Sequence, residues 1–155
     1  MRPGMICDLW PSLVDRFRDR ARSRPVALEL SGDLGSSVAA VVACDALGPS
    51  QVTGLALCDT VPPQVRELVL RTGLDFRLEP VQPILDAFLA ELTLDAPVAA
   101  NLQARVRRVV LLALAEQEGR VVLNPLQDVP ADVLPELARW RNAQDDEVLI
   151  PVSAM

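Results

Sequence analysis

Leu28-Glu29-Leu30-Ser31-Gly32-Asp33-Leu34-Gly35-Ser36-Ser37 is the stretch on which the reading of this chain turns. Val26 to Leu30 is a short, mostly apolar run of strand length, and Val38 to Leu47 repeats apolar residues at helical spacing. Between them lies a turn of small residues, so the local pattern is strand, turn, helix. Such a unit brings backbone N–H groups and the positive end of a helix dipole to a common point where an anion can sit. Ser36, Ser37 or Asp33 can cap the helix. An ordinary strand-to-helix connection, eased by Gly32 and Gly35, accounts for the same residues. The loop by itself leaves that choice open.

Outward from the loop, strands and helices alternate. Pro11 to Arg22 places Leu13, Val14 and Phe17 on one side and reads as an amphipathic helix, with Asp8 upstream as a cap. Ser36 to Leu47 is a helix stopped by Gly48-Pro49, Val52 to Leu57 a second strand, and Pro62 to Thr72 a helix closed by Gly73. Asp75 to Leu78 is a third strand, Pro83 to Leu92 and Val98 to Glu118 are helices, Val121 to Leu123 is a fourth strand, and Ala131 to Asn142 is a last helix. Asn142 to Glu147 reads as a polar turn and Val148 to Met155 as an extended tail. The alternation predicts a single α/β domain over residues 1–155, a three-layer sandwich with a parallel, Rossmann-like sheet. The Ser31 to Gly35 loop then lies at the carboxyl edge of the strands, where such folds bind ligands.

Composition narrows the chemistry. At 155 residues the chain buries roughly 70% of its unfolded surface, so no disulfide or metal staple is needed. Hydrophobic residues make up 50% and aromatic residues only 3%, so the core is built from Ala, Val and Leu, and the apolar excess suggests a homodimer. Every basic side chain is an arginine. The absence of Lys, His and Tyr removes lysine Schiff bases, Walker-type lysines, histidine bases and histidine metal ligands. A net charge of −6 argues against a nucleic-acid partner, and the run Arg16, Arg18, Arg20, Arg22, Arg24, interleaved with Asp15 and Asp19, reads as a solvated face. Cys7, Cys44 and Cys58 are odd in number and lack CxxC spacing, which argues against a disulfide framework or zinc site and points to plain thiols in a reducing, cytoplasmic setting. The longest uninterrupted apolar run, Val109 to Ala115, is far short of a membrane span, and no signal-peptide core is seen at the N-terminus.

Several segments together resemble one known family. The Ser31 to Ser37 loop is similar to the SGGxDSS signature of the N-type ATP pyrophosphatases, and Asn101-Leu102-Gln103-Ala104-Arg105-Val106-Arg107 resembles the N-x-Q-A-R-x-R helix of NAD synthetases. Asn124-Pro125-Leu126-Gln127-Asp128 resembles the family's N-P-L-G-D turn, and Glu136-Leu137-Ala138-Arg139-Trp140 its late E-L-A-R-aromatic helix. The likeness continues through Ala46 to Pro49, Val52 to Leu57 and Glu118 to Leu123, so it covers most of the chain. It implies the adenine nucleotide alpha hydrolase-like fold and an ATP-dependent amide-forming reaction. In that reaction ATP adenylates the nicotinate carboxylate of deamido-NAD and ammonia displaces AMP, while a magnesium-bearing loop stabilises the departing pyrophosphate. By resemblance Ser31, Gly32, Asp33, Gly35, Ser36 and Ser37 are the pyrophosphate-binding candidates. Asn101, Arg105, Arg107 and Arg108 are candidates for a substrate anion or a subunit contact. ATP and magnesium are the cofactors that the family implies.

The departures fall on the positions that carry the chemistry. Asp33 stands where the family has glycine, and Gly35 where it has a metal-coordinating aspartate. Leu123 runs straight into Asn124-Pro125-Leu126, where the family inserts a G-T motif, a metal-binding glutamate and a loop over the substrate. Ala131 stands at a position of lysine. An ionised Asp33 facing a pyrophosphate adds repulsion of about 4 kcal/mol per charge pair at roughly 4 Å and an effective dielectric near 20, unless a cation bridges the two. As a magnesium ligand Asp33 would have to act from two residues earlier in a tight loop, against the ion's strict octahedral preference.

The remaining candidates are sorted by helical spacing. Arg105 and Arg107 stand roughly 200° apart on a helical wheel, whereas Asn101, Arg105 and Arg108 share one stripe. Leu102, Val106, Val109 and Ala113 form the expected core stripe of that helix. Cys58 and Asp59 follow the second strand, where Asp59 caps the next helix or meets a ribose. The expectation is therefore a catalytically impaired relative that keeps the fold and the dimer, with residual nucleotide binding and a role in binding or assembly. The alternative is a working ATP-dependent ligase with rearranged metal ligands.

Overall fold

In the computed structural model, which describes residues 3–145 and 148–151, side chains of the first strand alternate between two cores. Val26 and Leu28 of β1 (Val26–Glu29) belong to one, Ala27 to the other, as the two-residue period of a strand requires. The second strand, β2 (Val52–Ala56), pairs parallel with β1 in the register Val26↔Val52, and β3 (Asp75–Leu78) pairs parallel with β2. On the other side of β1 lies β4 (Val121–Val122), also parallel, which gives the strand order β3-β2-β1-β4.

Helices cover both faces, giving three layers. The first core lies under α1 (Pro3–Ala21), α2 (Leu34–Leu47), α3 (Pro63–Thr72) and α6 (Leu134–Asn142), with Phe17, Val41, Leu68 and Leu137 buried together. The second and thinner core lies under α4 (Gln82–Glu91) and α5 (Ala96–Gln117), where Leu85, Val106, Leu111 and Ala115 meet Ala27 and Leu55. This partition follows from connectivity. Right-handed crossovers from β1 to β2 and β2 to β3 travel in one direction and put α2 and α3 on one face, and the return from β3 to β4 puts α4 and α5 on the other.

Helix α2 has no polar face to offer water. Every residue from Ser37 to Ala43 is buried, because α1, α3, α6 and the sheet surround it. Close packing here depends on Gly54: a Cβ on that residue would lie 2.3 Å from Leu30 Cδ1 and 3.2 Å from Leu74 Cδ1.

The elements fall where the sequence places them, with informative differences at their ends. Helix α1 begins well before Pro11, so Asp8 lies inside it instead of capping it. The stripe of α5 that meets the sheet runs through Val106, Val110, Leu111, Leu114 and Ala115, not through Val109, which is 64% exposed, or Ala113, also exposed. That helix is apolar nearly all round between Val109 and Ala115, so periodicity does not fix its rotation. Arg107 does, since it turns inward to donate to the Leu57 carbonyl at 3.2 Å.

The arginine run is the solvated face its pattern suggests, with Arg16, Arg18, Arg20, Arg22 and Arg24 all exposed, and three of them also reach carbonyls. Arg18 Nε donates to the Ala46 carbonyl in the last turn of α2, Arg24 Nε to the Ala21 carbonyl at the end of α1, and Arg20 Nη1 to the Asn124 carbonyl, each at 2.9–3.0 Å. Guanidinium groups at helix carboxyl ends satisfy carbonyls that the helix leaves free. After α6 the chain folds back: Asn142 donates to the Ile150 carbonyl, accepts from the Ile150 N–H, and Ile150 is fully buried. The polar turn expected to Glu147 and the tail expected to Met155 lie outside the described residues at 146–147 and 152–155. Among the described residues, no helix is long and apolar enough to cross a membrane.

Candidate functional site

The loop between β1 and α2 is built around Asp33. Gly32 takes φ +91°, and a Cβ there would also press on Pro62 Cβ at 3.3 Å, so the turn requires glycine. Asp33 is extended and caps α2, its Oδ1 accepting the Ser36 N–H at 2.8 Å. Its backbone carbonyl accepts the Ser37 N–H at 3.2 Å and the hydroxyls of Ser36 and Ser37 at 3.2 and 3.0 Å. Ser36 Oγ in turn accepts the Ser31 N–H at 3.3 Å. The N–H groups of Ser31, Ser36 and Ser37 and the serine hydroxyls are thus turned on the loop itself, with the Asp33 carboxylate at the head of α2. Burial raises the Asp33 carboxyl, but the Ser36 N–H with the Ser36 and Ser31 hydroxyls outweighs it and holds the group below the ordinary range.

Beside the loop, between the carboxyl ends of β1 and β4, is a cavity of about 490 Å³. Strand order reverses direction at this point: β1 leads to β2 on one side, and β4 arrives on the other. Doubly wound sheets place ligands at that switch point. Ser31, Asp33, Gly35 and Ser36 line the cavity, as do Glu29, Leu111, Val122, Leu123 and the turn from Asn124 to Leu126. The size falls within the range of small-molecule clefts, and its walls are mainly apolar.

The structure separates the sequence candidates. Gly32 shapes the loop from behind and Ser37 is buried under α2, so neither faces the cavity. Of the helix α5 group, only Arg108 lines the cavity, next to Ala104 and Leu111. Asn101 and Arg105 are exposed elsewhere on the helix, and Arg107 is committed to the Leu57 carbonyl and to Glu29, its Nη1 lying 3.6 Å from Oε1. Asp59 is not the cap of α3, a position taken by Pro62, and Cys58 Sγ donates to the Thr60 carbonyl at 3.1 Å. Glu29 is the residue that motif reasoning passes over. A carboxylate inside an otherwise apolar strand is the signal that singles it out.

Two carboxylates, Asp33 and Glu29, line the cavity, and each already has a partner within the chain. Magnesium is held by one or two carboxylates together with substrate phosphates. Here Asp33 is bonded to the head of α2, Glu29 is paired with Arg107, and Gly35 contributes no ligand atom. Among the described residues, no three His, Cys, Asp or Glu side chains converge on one point.

The architecture, a parallel sheet between two helical layers with its loop site at the switch point, is that of the Rossmann-like adenine nucleotide alpha hydrolases. The NAD synthase family model matches residues 9–128, and the chain belongs to that family. Glutamine-dependent NAD(+) synthetase of Acinetobacter baylyi is 28% identical over 183 residues, covering 94% of this chain and 34% of that protein. The solved glutamine-dependent NAD+ synthetase of Acinetobacter baumannii, in complex with ADP, superimposes with a TM-score of 0.88 at 24% identity, covering 96% of this chain and 35% of the other. The NH3-dependent enzyme of Campylobacter jejuni does so with a TM-score of 0.79 at 18% identity, covering 92% and 76%. This chain therefore spans about a third of the glutamine-dependent relatives it matches. An aligned span of 183 residues exceeds the 155 of this chain, so the relative carries residues within the match that are missing here.

Proposed function

We propose that this NAD synthetase-like domain does not form amides from ATP and a carboxylate, and acts instead through binding or assembly. The observation that carries the reading is the Asp33 carboxylate bonded at 2.8 Å to the Ser36 N–H, where a phosphate would otherwise receive that donor. A pyrophosphate entering the loop would displace that bond and meet the charge that made it. Residual nucleotide binding at Ser31, Gly35 and Ser36 is accordingly weak and independent of magnesium. The decisive experiment supplies purified chain with ATP, magnesium, deamido-NAD and ammonia. No pyrophosphate above background is expected, and synthesis of NAD at catalytic turnover would establish the working ligase instead.

In this reading, residues 1–155 fold as one unit, and the dimer is kept. Ile84 and Phe88, one turn apart on α4, are exposed together with Leu92, and α5 exposes Val98, Val109 and Leu112. A second copy covering these side chains gives the thin α4–α5 layer the burial it lacks within one chain. Light scattering after size exclusion is expected to give twice the 16.8 kDa chain mass, and Val109→Glu to shift it toward the monomer. A Val109→Glu variant that elutes as the wild type does would remove α5 from the contact. The free thiols of Cys44 and Cys58 accord with residence in the reducing cytoplasm.

A further inference from the structure

Near the foot of α2, a short segment with no helix or strand of its own is held as a bound peptide is held. Residues 148–151 run past the carboxyl ends of α3 and α6. Arg71, in the last turn of α3 and ion-paired with Glu67 at 3.1 Å, donates to the Val148 carbonyl at 2.6 Å. Asn142, the last residue of α6, brackets Ile150: its side-chain amide donates to the Ile150 carbonyl at 2.9 Å and accepts the Ile150 N–H at 3.0 Å. Those are the two bonds that a neighbouring antiparallel strand would supply. Ile150 is fully buried in the first core, Pro151 is buried, and Val148 and Leu149 are half-buried. Main-chain bonds that hold an extended segment, with one pocket that selects a side chain, are the means by which peptides are recognised. The slot is also built without the segment. Helix α3 is fixed by buried Val65 and Leu68, and α6 by Leu137, Ala138 and the bonds of Arg141 to Asp45, all within helices packed around α2. A site already in its bound shape loses little freedom when it is filled.

We propose that the carboxyl ends of α3 and α6 form a peptide-binding slot, with residues 148–151 as its resident ligand, exchangeable for a peptide of the same kind: extended, apolar, with isoleucine before proline. Arg71 and Asn142 read the main chain, and the core beneath reads the isoleucine. The slot adjoins Arg141, which bonds Asp45 at the foot of α2, and the Asp33 loop lies at the head. It therefore gives the domain a contact surface separate from the cavity, and it stands whether or not the loop turns over ATP.

The test uses the full chain and a fluorescently labelled peptide with the sequence of residues 148–155, followed by anisotropy. Ile150→Asp places a charge where the core takes an apolar side chain, which empties the slot and leaves Arg71 and Asn142 in place. That variant is expected to bind the peptide at micromolar concentration, and the wild type about tenfold more weakly or worse, because its slot is filled. Asn142→Ala added to Ile150→Asp should weaken binding by about tenfold, as should aspartate in the peptide at the isoleucine position. The peptide should also raise the melting temperature of Ile150→Asp and of the milder Ile150→Ala, but not that of the wild type. If Ile150→Asp is unfolded alone, added peptide is expected to restore its unfolding transition. Binding by no variant, equal binding by wild type and Ile150→Asp, or binding indifferent to Asn142→Ala and to the isoleucine of the peptide would each overturn the proposal.

Discussion

Helix α2 carries a carboxylate near each end, and the two are satisfied in opposite ways. Asp33 at its head is exposed and bonds to the backbone of its own loop, through the Ser36 N–H. Asp45 near its foot is held by other helices. Arg141 of α6 donates to both of its oxygens at 2.7 and 2.9 Å, and Trp10 Nε1 of α1 donates to Oδ2 at 2.9 Å. Arg141 also bonds Asp145 and stands 6.0 Å over the Trp10 ring, and Trp10 packs beside Trp140. The head of α2 is a local device that any short peptide could form; the foot exists only after three helices have docked. The Asp33 cap is thus expected to contribute less to the stability of the fold than the Asp45 network does.

Cutting the tertiary end should have the largest effect. Arg141→Leu leaves a partly buried Asp45 with Trp10 as its remaining partner and is expected to cost about 3 kcal/mol, read from urea unfolding. A loss under about 1 kcal/mol would mean that the two ends are equivalent.

At the other end, Asp33→Ala removes one exposed cap and is expected to cost about 1 kcal/mol at pH 7. The folded Asp33 carboxyl lies below its ordinary value, so its contribution is complete above the unfolded value of about 3.9 and is lost as the pH falls through the lower folded value. The stability gap between wild type and Asp33→Ala should therefore close in acid. A gap that stays constant would show that the carboxylate does not act through its charge.

The smallest expected effect is at Cys44, next to the foot. Burial, aided by the Asp45 charge, pushes its thiol up to about 12, so the native chain should resist iodoacetamide there at pH 8 and react after unfolding in urea. Because burial is the larger cause, Asp45→Asn should leave Cys44 protected in the native state. Rapid native labelling of Cys44 in that variant would show that the ion pair, more than packing, closes this part of the core.

Much of the fold was legible because local rules agreed. The stop at Gly48-Pro49, the short strand from Val52 and the closure of α3 at Gly73 are set by residues adjacent in sequence. The rotation of α5 was not legible, since a helix apolar on every side offers no period to read. The roles of Arg105, Arg107 and Arg108 likewise could not be divided by spacing alone. Arg107 is set by the Leu57 carbonyl, 50 residues away, and by Glu29 across the sheet.

The sequence by itself determined the α/β alternation, the all-arginine basic chemistry and the exchange of Asp33 and Gly35, because each is a matter of residue identity and near neighbours. Only the tertiary structure decided that Arg108 reaches the cavity while Arg107 is tied to the sheet, and that Asp45 joins three helices. A side chain's partner is chosen by which surfaces meet when the layers pack, and those surfaces come from residues far apart along the chain.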